Sequence, residues 1–520
     1  MSAAVHHPNA RAIARRTAVV DLGSNSFRLV VFSVGESGWW KRTDELSETV
    51  RLGGDLGPGG ELSPTRAAHA LETLRVFAAF CATNGIHAEQ IDAVATSAVR
   101  DAPDGERFVA RARRATGLPI RILSQRDEAW FSYVAAVNQT TLRDGTVLDI
   151  GGGSLELVAV RGRQAERCAS WPLGAVRMTE RFLAADGPAD PAAIAALREH
   201  VLAELAREPW VGGAGGERLV GIGGALRNLA AAAIRAADLP LDGVQGFLLE
   251  PAALDGLIER LAARPAAERE RVAGIKRGRA EVILAGAVVL RAVLEATGAD
   301  GIETVEAGLR EGLFLAGELA GAPGGPLVED VRRASVDNLA RQHGVDLPHA
   351  RHIAELAAQL TAQLPAAGLP APGEPELLEA AALLHDVGMA VDYDDHHKHS
   401  SYLILGSGLP GFTPREVALI ALMARYHRKG APQLGAAAAL CRDGDERLLL
   451  RGAALLRIAE QLERNRDQAV HTARLRRDGD GVVLELDADG DTVVAAWGAR
   501  RQGDLFARAF GAPLTVVARG

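Results

Sequence analysis

Cysteine is scarce in this chain: Cys81, Cys168 and Cys441 are the only three, and no two share a short spacing. That excludes a disulfide framework and a thiolate zinc site, and it fits a reducing, cytoplasmic setting. Long apolar runs are missing as well. No stretch of roughly 18 uncharged apolar residues occurs, so no membrane span is expected. The basic start "ARAIARR" leads into an apolar run of about four residues, where a signal peptide needs roughly 7–15, so none is expected. There is no excess of positive charge either. At a net −8 no whole-protein field draws the chain to nucleic acid, and any polyanion would need a local basic groove. Short basic clusters do occur, "KRGR" at Lys276–Arg279, "ARYHRKG" at Ala424–Gly430 and "RIAEQLERNR", and each reads first as a solvated helix face. Finally, no Gly-x-x-x-x-Gly-Lys-Ser/Thr phosphate loop is present.

What is there is ordinary globular composition, 48% hydrophobic and 24% charged, over 520 residues, room for three or four domains at roughly 100–200 residues each. Residues 17–34 read as a β-hairpin. The run from Ser63 to Gly85 reads as a helix with Ser63 as N-cap, Pro64 at its first position and a closing glycine. Strands and helices then alternate, which argues a largely parallel sheet with covered faces. A second strand-acid-turn-strand unit begins at "TVLDIGGGSLEL". "AGAPGGPL", Ala320 to Leu327, breaks helix and strand alike, and the sequence after it is almost wholly helical to about residue 470. The expected division is a disordered tail over 1–16, α/β domains over 17–134 and 135–322, a helical domain over 323–472 and a small α+β cap over 473–520.

Two stretches carry the chemistry. "VVDLGSNSFRL" stops a buried strand at Asp21 and turns through Gly23, Ser24, Asn25 and Ser26; "VLDIGGGSLEL" repeats this with Asp149, Gly151, Gly152, Gly153 and Ser154. Such turns aim backbone N–H groups into one concavity, an anion nest. An acid before each nest would repel a bare phosphate, so each needs a cation or water as intermediary. Two such loops describe a metal-assisted phosphate site between two domains, and "GIGGALRNL" adds Gly223 and Gly224 at a strand-to-helix turn. Asp149 and Asp21 are the metal-ligand candidates. Glu156 either joins them or is a solvated strand-edge acid. Asn25 and Ser26 can donate to phosphate, whereas Arg28 either joins them or points outward. Arg100 sits just past a strand end, where a guanidinium could clamp phosphate or pair with Asp101 or Asp104.

The double motif resembles the actin/Hsp70/sugar-kinase superfold. "DLGSNSFRL", "ATSAVRDA", "SQRDEAW", "DIGGGSLEL", "WPLGAVRMTE" and "GIGGALRNL", in that order over about residues 17–320, resemble the exopolyphosphatase/guanosine-pentaphosphate phosphohydrolase family. The resemblance implies two facing actin-like α/β domains and water attack on a terminal phosphate. It implies Glu128 as general base, while Ser124 and Asp127 form a capping pattern at the same helix start. Mg²⁺ suits the all-oxygen ligand set. The implied substrate is inorganic polyphosphate, with guanosine pentaphosphate second; neither specific nucleic acid nor membrane is involved, and two chains pairing is a further implication. From another class, an ATP-binding switch of the actin/Hsp70 kind remains open.

In the helical domain, "AALLHDVGM" sets His385 beside Asp386, a pairing similar to HD-type metal phosphohydrolases. His352 could supply the leading histidine, with His396, His397, His399 and His427 nearby in sequence. The closing acid would be Asp in that pattern, but this chain has Glu460. Either a second metal phosphodiesterase or a metal-free HD-like fold with a basic face for polyanion is compatible with that substitution.

Overall fold

Alternate apolar side chains along the hairpin strands go to different cores, and that division organises the first half of the molecule. The structure, a computed structural model, describes residues 12–54, 57, 59–184, 187–213, 218–322 and 325–519. One compact unit comprises residues 13–34 and 40–331; the other consists mainly of residues 332–520. The expected N-terminal tail lies outside the described residues up to position 11. The first strand begins at Ile13, inside the segment expected to be disordered.

The first unit holds two sheets. One comprises β1 (Ile13–Leu22), β2 (Phe27–Gly35), β3 (Trp40–Glu48), β4 (Ile91–Ala95) and β5 (Ile120–Ile122), in the order β3-β2-β1-β4-β5. The other comprises β6 (Gly145–Ile150), β7 (Leu155–Arg161), β8 (Gln164–Trp171), β9 (Arg218–Ile222), β10 (Leu248–Leu249) and β11 (Ile302–Thr304), ordered β10-β11-β9-β6-β7-β8. Apart from the added β10, the order repeats: a central strand with a two-strand meander on one side and two parallel strands on the other.

Ala18, Val20 and Leu22 point into one core and Val19 into another; Leu148 and Ile150 point into a third, while Val147 shares the core of Val19. Period-two alternation in strands covered on both faces produces this split. The shared core also takes Ala129, Val134 and Leu313, so helices Gln125–Val137 and Leu309–Glu318 pack between the two sheets. The two facing α/β domains expected from the sequence are present.

The second unit is helical, with helices Val331–Gln342, Leu347–Gln363, Pro375–Leu384, His396–Ser407, Pro414–Tyr426 and Asp445–Leu462. Its terminal sheet, β12 (Val470–Asp478), β13 (Gly481–Ala488) and β14 (Leu514–Arg519), is not a free-standing cap, because one hydrophobic core runs through helices and sheet from Val336 to Val516. Gln359 and Gln363 act as a strand partner for β12: their amides accept from Ala473 N and Leu475 N at 3.1 and 3.0 Å and donate to the His471 and Ala473 carbonyls. Among the described residues no helix is long and apolar enough to cross a membrane.

Candidate active site

Both acid-bearing loops leave the end of a central strand. β1 ends at Asp21-Leu22 before the Gly23–Ser26 turn, and β6 ends at Asp149-Ile150 before the Gly151–Ser154 turn. The loops close on each other through glycine. A Cβ on Gly153 would lie 2.6 Å from Ser97 Oγ and 3.4 Å from Ser24 Oγ, while the two serine hydroxyls hydrogen-bond at 2.8 Å. Gly223 has φ +117°, and a Cβ there would meet the Ile150 carbonyl at 2.5 Å, so only glycine fits that turn. These loops, with Arg28, Arg227, Arg279 and Arg310, line a cavity of about 130 Å³.

Helix Gln125–Val137 delivers the carboxylate. Ser124 Oγ accepts from Asp127 N at 3.1 Å and donates to its carboxylate at 2.7 Å, so Asp127 is a capping residue. Glu128, the next residue, opens on the cavity. Arg100 Nη1 donates to Glu128 Oε2 at 2.7 Å and to the Leu123 carbonyl at 3.3 Å, with the two side chains 14% and 13% exposed. Arg100 lies against Glu128 just outside the cavity lining, with Asp101 at 3.5 Å, its Nε and Nη2 buried without a hydrogen-bond partner among the described residues, and Asp104 instead accepting from Leu62 N. Burial pushes the Glu128 carboxyl up to about 7; Arg100 opposes this, and Asp149 and Asp21 add to it.

One turn on from Glu128, Ser132 donates to Asp149 Oδ2 at 2.5 Å. Asp149 faces Glu156 across the β6–β7 ladder. Glu156 is 2% exposed, and Ser170 donates to it at 2.9 Å. Burial first, then Glu128 and Asp149, hold its carboxyl well above the ordinary range, and Ser154 also bonds to it. It is thus not a solvated edge residue. Asp21 and Asp149 are likewise raised, chiefly by burial, with Arg310 counteracting in both. The three expected ligands do not bring their oxygens within 4.8 Å of one another as a set.

The cationic wall was largely invisible in the sequence. Arg310 Nη1 lies 3.9 Å from Asp21, and its Nε is buried without a hydrogen-bond partner. Burial and neighbouring arginines hold Arg227 and Arg279 down at about 10. Arg28 faces this group rather than pointing outward, 3.4 Å from Glu45. Four crowded guanidiniums that have, among the described residues, only Glu45 beside Arg28 and Asp21 beside Arg310 as ion-pair partners mark an anion site. Arg227 directly follows "GIGGAL" and Arg279 ends "KRGR"; nothing local marked Arg310 or Ser132. Beyond this wall a wider vestibule of about 550 Å³ shares the four arginines and adds Arg42, Lys276, Glu45, Asp242 and Glu306.

In the helical unit, His385 and Asp386 are adjacent to His349, His396 and His427. The other two expected residues are elsewhere. His352 Nε2 bonds to the Val470 carbonyl at 2.9 Å, and Glu460 pairs with Arg464 at 2.7 Å and with Gln461. His349 and Glu463, each one turn away, occupy the interior positions instead.

Paired actin-like domains enclosing two glycine loops, a raised carboxyl and an arginine wall define a phosphohydrolase of the acid-and-nest type. The family model described as the Ppx/GppA phosphatase family matches residues 30–320, and that of Ppx/GppA phosphatase domain III matches 331–494; the chain belongs to this family, whose members hydrolyse phosphoanhydride bonds. It is 28% identical over 480 residues, 91% of this chain and 92% of the relative, to a guanosine-5'-triphosphate,3'-diphosphate pyrophosphatase from Vibrio vulnificus (strain YJ016). The crystal structure of the Aquifex aeolicus Ppx/GppA family member is similar at TM-score 0.51 and 26% identity, covering 59% of this chain and 99% of that one. An exopolyphosphatase from Cytophaga hutchinsonii shares the fold at TM-score 0.54 and 21% identity, over 60% of this chain and 100% of the other.

Proposed function

We propose that the chain removes the terminal phosphate of a polyphosphorylated substrate by water attack, with Glu128 as general base. The observation that carries this is the Glu128 carboxyl, raised to about 7, opening on a cavity lined by two glycine loops and four arginines. A base with that affinity for protons accepts one from water near neutral pH. Glu128 orients the water and takes its proton as oxygen bonds to the terminal phosphorus. The anhydride P–O bond breaks, and the chain leaves one phosphate shorter beside orthophosphate. Loop N–H groups and guanidiniums hold the phosphate oxygens and spread their charge. Arg100 is a positioning residue that keeps Glu128 pointed at the cavity.

The residues fit a divalent cation. Asp21 raises the Asp149 carboxyl, both raise that of Glu128, and Glu128 and Asp149 raise that of Glu156, so the acids share one cleft and their oxygen chemistry suits Mg²⁺. Asp149 and Asp21 would hold it, with Glu156 buried behind Asp149. When bound it supplies neutralisation of charge on the substrate's phosphates.

Inorganic polyphosphate is the first reading from sequence, but the vestibule supports guanosine pentaphosphate. Its wall mixes arginines with Glu45, Asp242 and Glu306. Carboxylates repel a bare phosphate chain, yet they accept hydrogen bonds from a guanine edge while the cations hold a second phosphate group. The relative kcat/KM for orthophosphate release from the two substrates tests this. Higher values on the nucleotide that fall towards the polymer in Glu45→Gln and Glu306→Gln variants support the nucleotide. A polymer preference unchanged by those variants returns the reading to exopolyphosphatase.

A further inference from the structure

We propose that Asp386, His396 and His427 of the helical unit form a binding site for an imidazole-preferring divalent transition metal such as Zn²⁺ or Mn²⁺, with a second position at His349, His385 and Asp386. Neither position involves the phosphate cavity of the first unit.

The argument rests on which ring nitrogen of each histidine is free. His396 Nδ1 contacts the Tyr393 carbonyl at 2.9 Å, His427 Nδ1 the Ala424 carbonyl at 2.6 Å and His385 Nδ1 the Ala382 carbonyl at 2.6 Å. A carbonyl can only accept, so in each ring the proton sits on Nδ1 and Nε2 keeps a bare lone pair. (Arg428 Nη1 also approaches His396 Nδ1, at 3.4 Å.) This backbone tethering is how metal-binding histidines are commonly oriented. All three Nε2 atoms converge on one carboxylate oxygen. Asp386 Oδ1 lies 3.3 Å from His396, 3.5 Å from His385 and 4.0 Å from His427, while Arg466 takes the other oxygen at 2.8 Å.

The result is a set of electron pairs facing one another. His396 Nε2 and His427 Nε2 are 3.2 Å apart, and His385 Nε2 is buried with no hydrogen-bond partner, as is His349 Nδ1. Two acceptors at that separation repel unless something positive lies between them. Bonds of about 2.0–2.1 Å to a tetrahedral ion place neighbouring ligand atoms about 3.3 Å apart. The 3.2 and 3.3 Å spacings match that edge. Mg²⁺ and Ca²⁺ prefer oxygen donors, so a nitrogen-rich set selects a first-row transition ion. The ligands come from the ends of helices Leu347–Gln363, Pro375–Leu384, His396–Ser407 and Pro414–Tyr426, so the first position ties three segments together and the second brings in the fourth. The alternative occupant is a proton shared by His396 and His427.

The test uses the untagged full-length chain. After EDTA treatment and dialysis it is given ZnCl₂ or MnCl₂ alone, and bound metal and melting temperature are measured. The expected result is about one or two ions per chain with a clear rise in melting temperature. His352→Gln, whose ring bonds to the Val470 carbonyl outside the cluster, should behave as wild type, and in Asp149→Asn, which weakens the first unit's cation site, uptake by the helical unit should persist. His396→Gln and His427→Gln should bind roughly tenfold more weakly or worse. If EDTA-treated wild type takes up neither metal and its melting point does not move, the cluster holds a shared proton and the proposal fails. It fails equally if both glutamine variants retain wild-type stoichiometry and affinity.

Discussion

Replacing Arg100 by methionine removes the 2.7 Å hydrogen bond to Glu128 and leaves the burial and the carboxylates that oppose its ionisation in place. Glu128 stands at about 7 against an ordinary 4.5, so ionising it in the folded chain costs about 3 kcal/mol more than in water at 1.36 kcal/mol per pH unit. A charge-assisted hydrogen bond contributes about 1.5–3 kcal/mol. Losing it shifts the carboxyl up by a further one to two pH units. A base must be ionised to act, so activity is lost as pH falls through its pKa. The acid limb of kcat/KM should therefore move from a midpoint of about 7 in wild type to about 8–9 in the variant. Orthophosphate release with Mg²⁺ across a buffer series from acid to alkaline pH reads this directly, and Arg100→Lys should fall between the two. A uniform loss at every pH with an unmoved limb would refute the reasoning and place Arg100 on the substrate.

Gly153→Ala puts a methyl 2.6 Å from Ser97 Oγ, so the Ser24–Ser97 contact must open at a cost of about 1–3 kcal/mol, read as a lower melting temperature and impaired turnover. The raised carboxyls of the cleft favour folding while protonated, and that stability is lost as pH rises through their folded-state pKa values. With EDTA present, melting temperature should thus fall from mildly acid to mildly alkaline pH, and Glu156→Gln should flatten the slope relative to wild type. Arg279→Ala relieves repulsion from Arg28, Arg227 and Arg310, so it should raise the melting point of the free chain. The same change removes a phosphate partner worth about 1.5–3 kcal/mol, and KM should rise by roughly ten- to a hundredfold.

The backbone of the site was legible because glycine and acid spacing are local signals. Asp21, Gly23, Asp149 and Gly151 of the two strand-acid-turn units and Gly223 of the strand-to-helix turn line one cavity. Side-chain direction was not legible. Sequence left Arg28 open between the phosphate loop and the outer face and Arg100 between phosphate and a neighbouring acid, since the facing of a residue at a strand end depends on which helix packs above it. In the helical unit, His349 and His352 lie one turn apart, as do Glu460 and Glu463, and sequence cannot choose between neighbours three residues apart when the buried stripe is wide. Arg310 completes the arginine wall only because a distant helix packs between the sheets. The division at "AGAPGGPL" fell close to the junction after Val331, although residues 323–324 lie outside the described set.

The central claim is that Glu128 activates water for attack on a terminal phosphate, and single-turnover orthophosphate release by Glu128→Gln beside wild type tests it most directly. The amide keeps the size and can still contact the cavity but cannot take a proton, so the rate should fall by roughly 10²–10⁴-fold on guanosine pentaphosphate and polyphosphate alike, with substrate binding retained. A variant that releases phosphate at the wild-type rate would contradict the account and remove Glu128 from the chemistry.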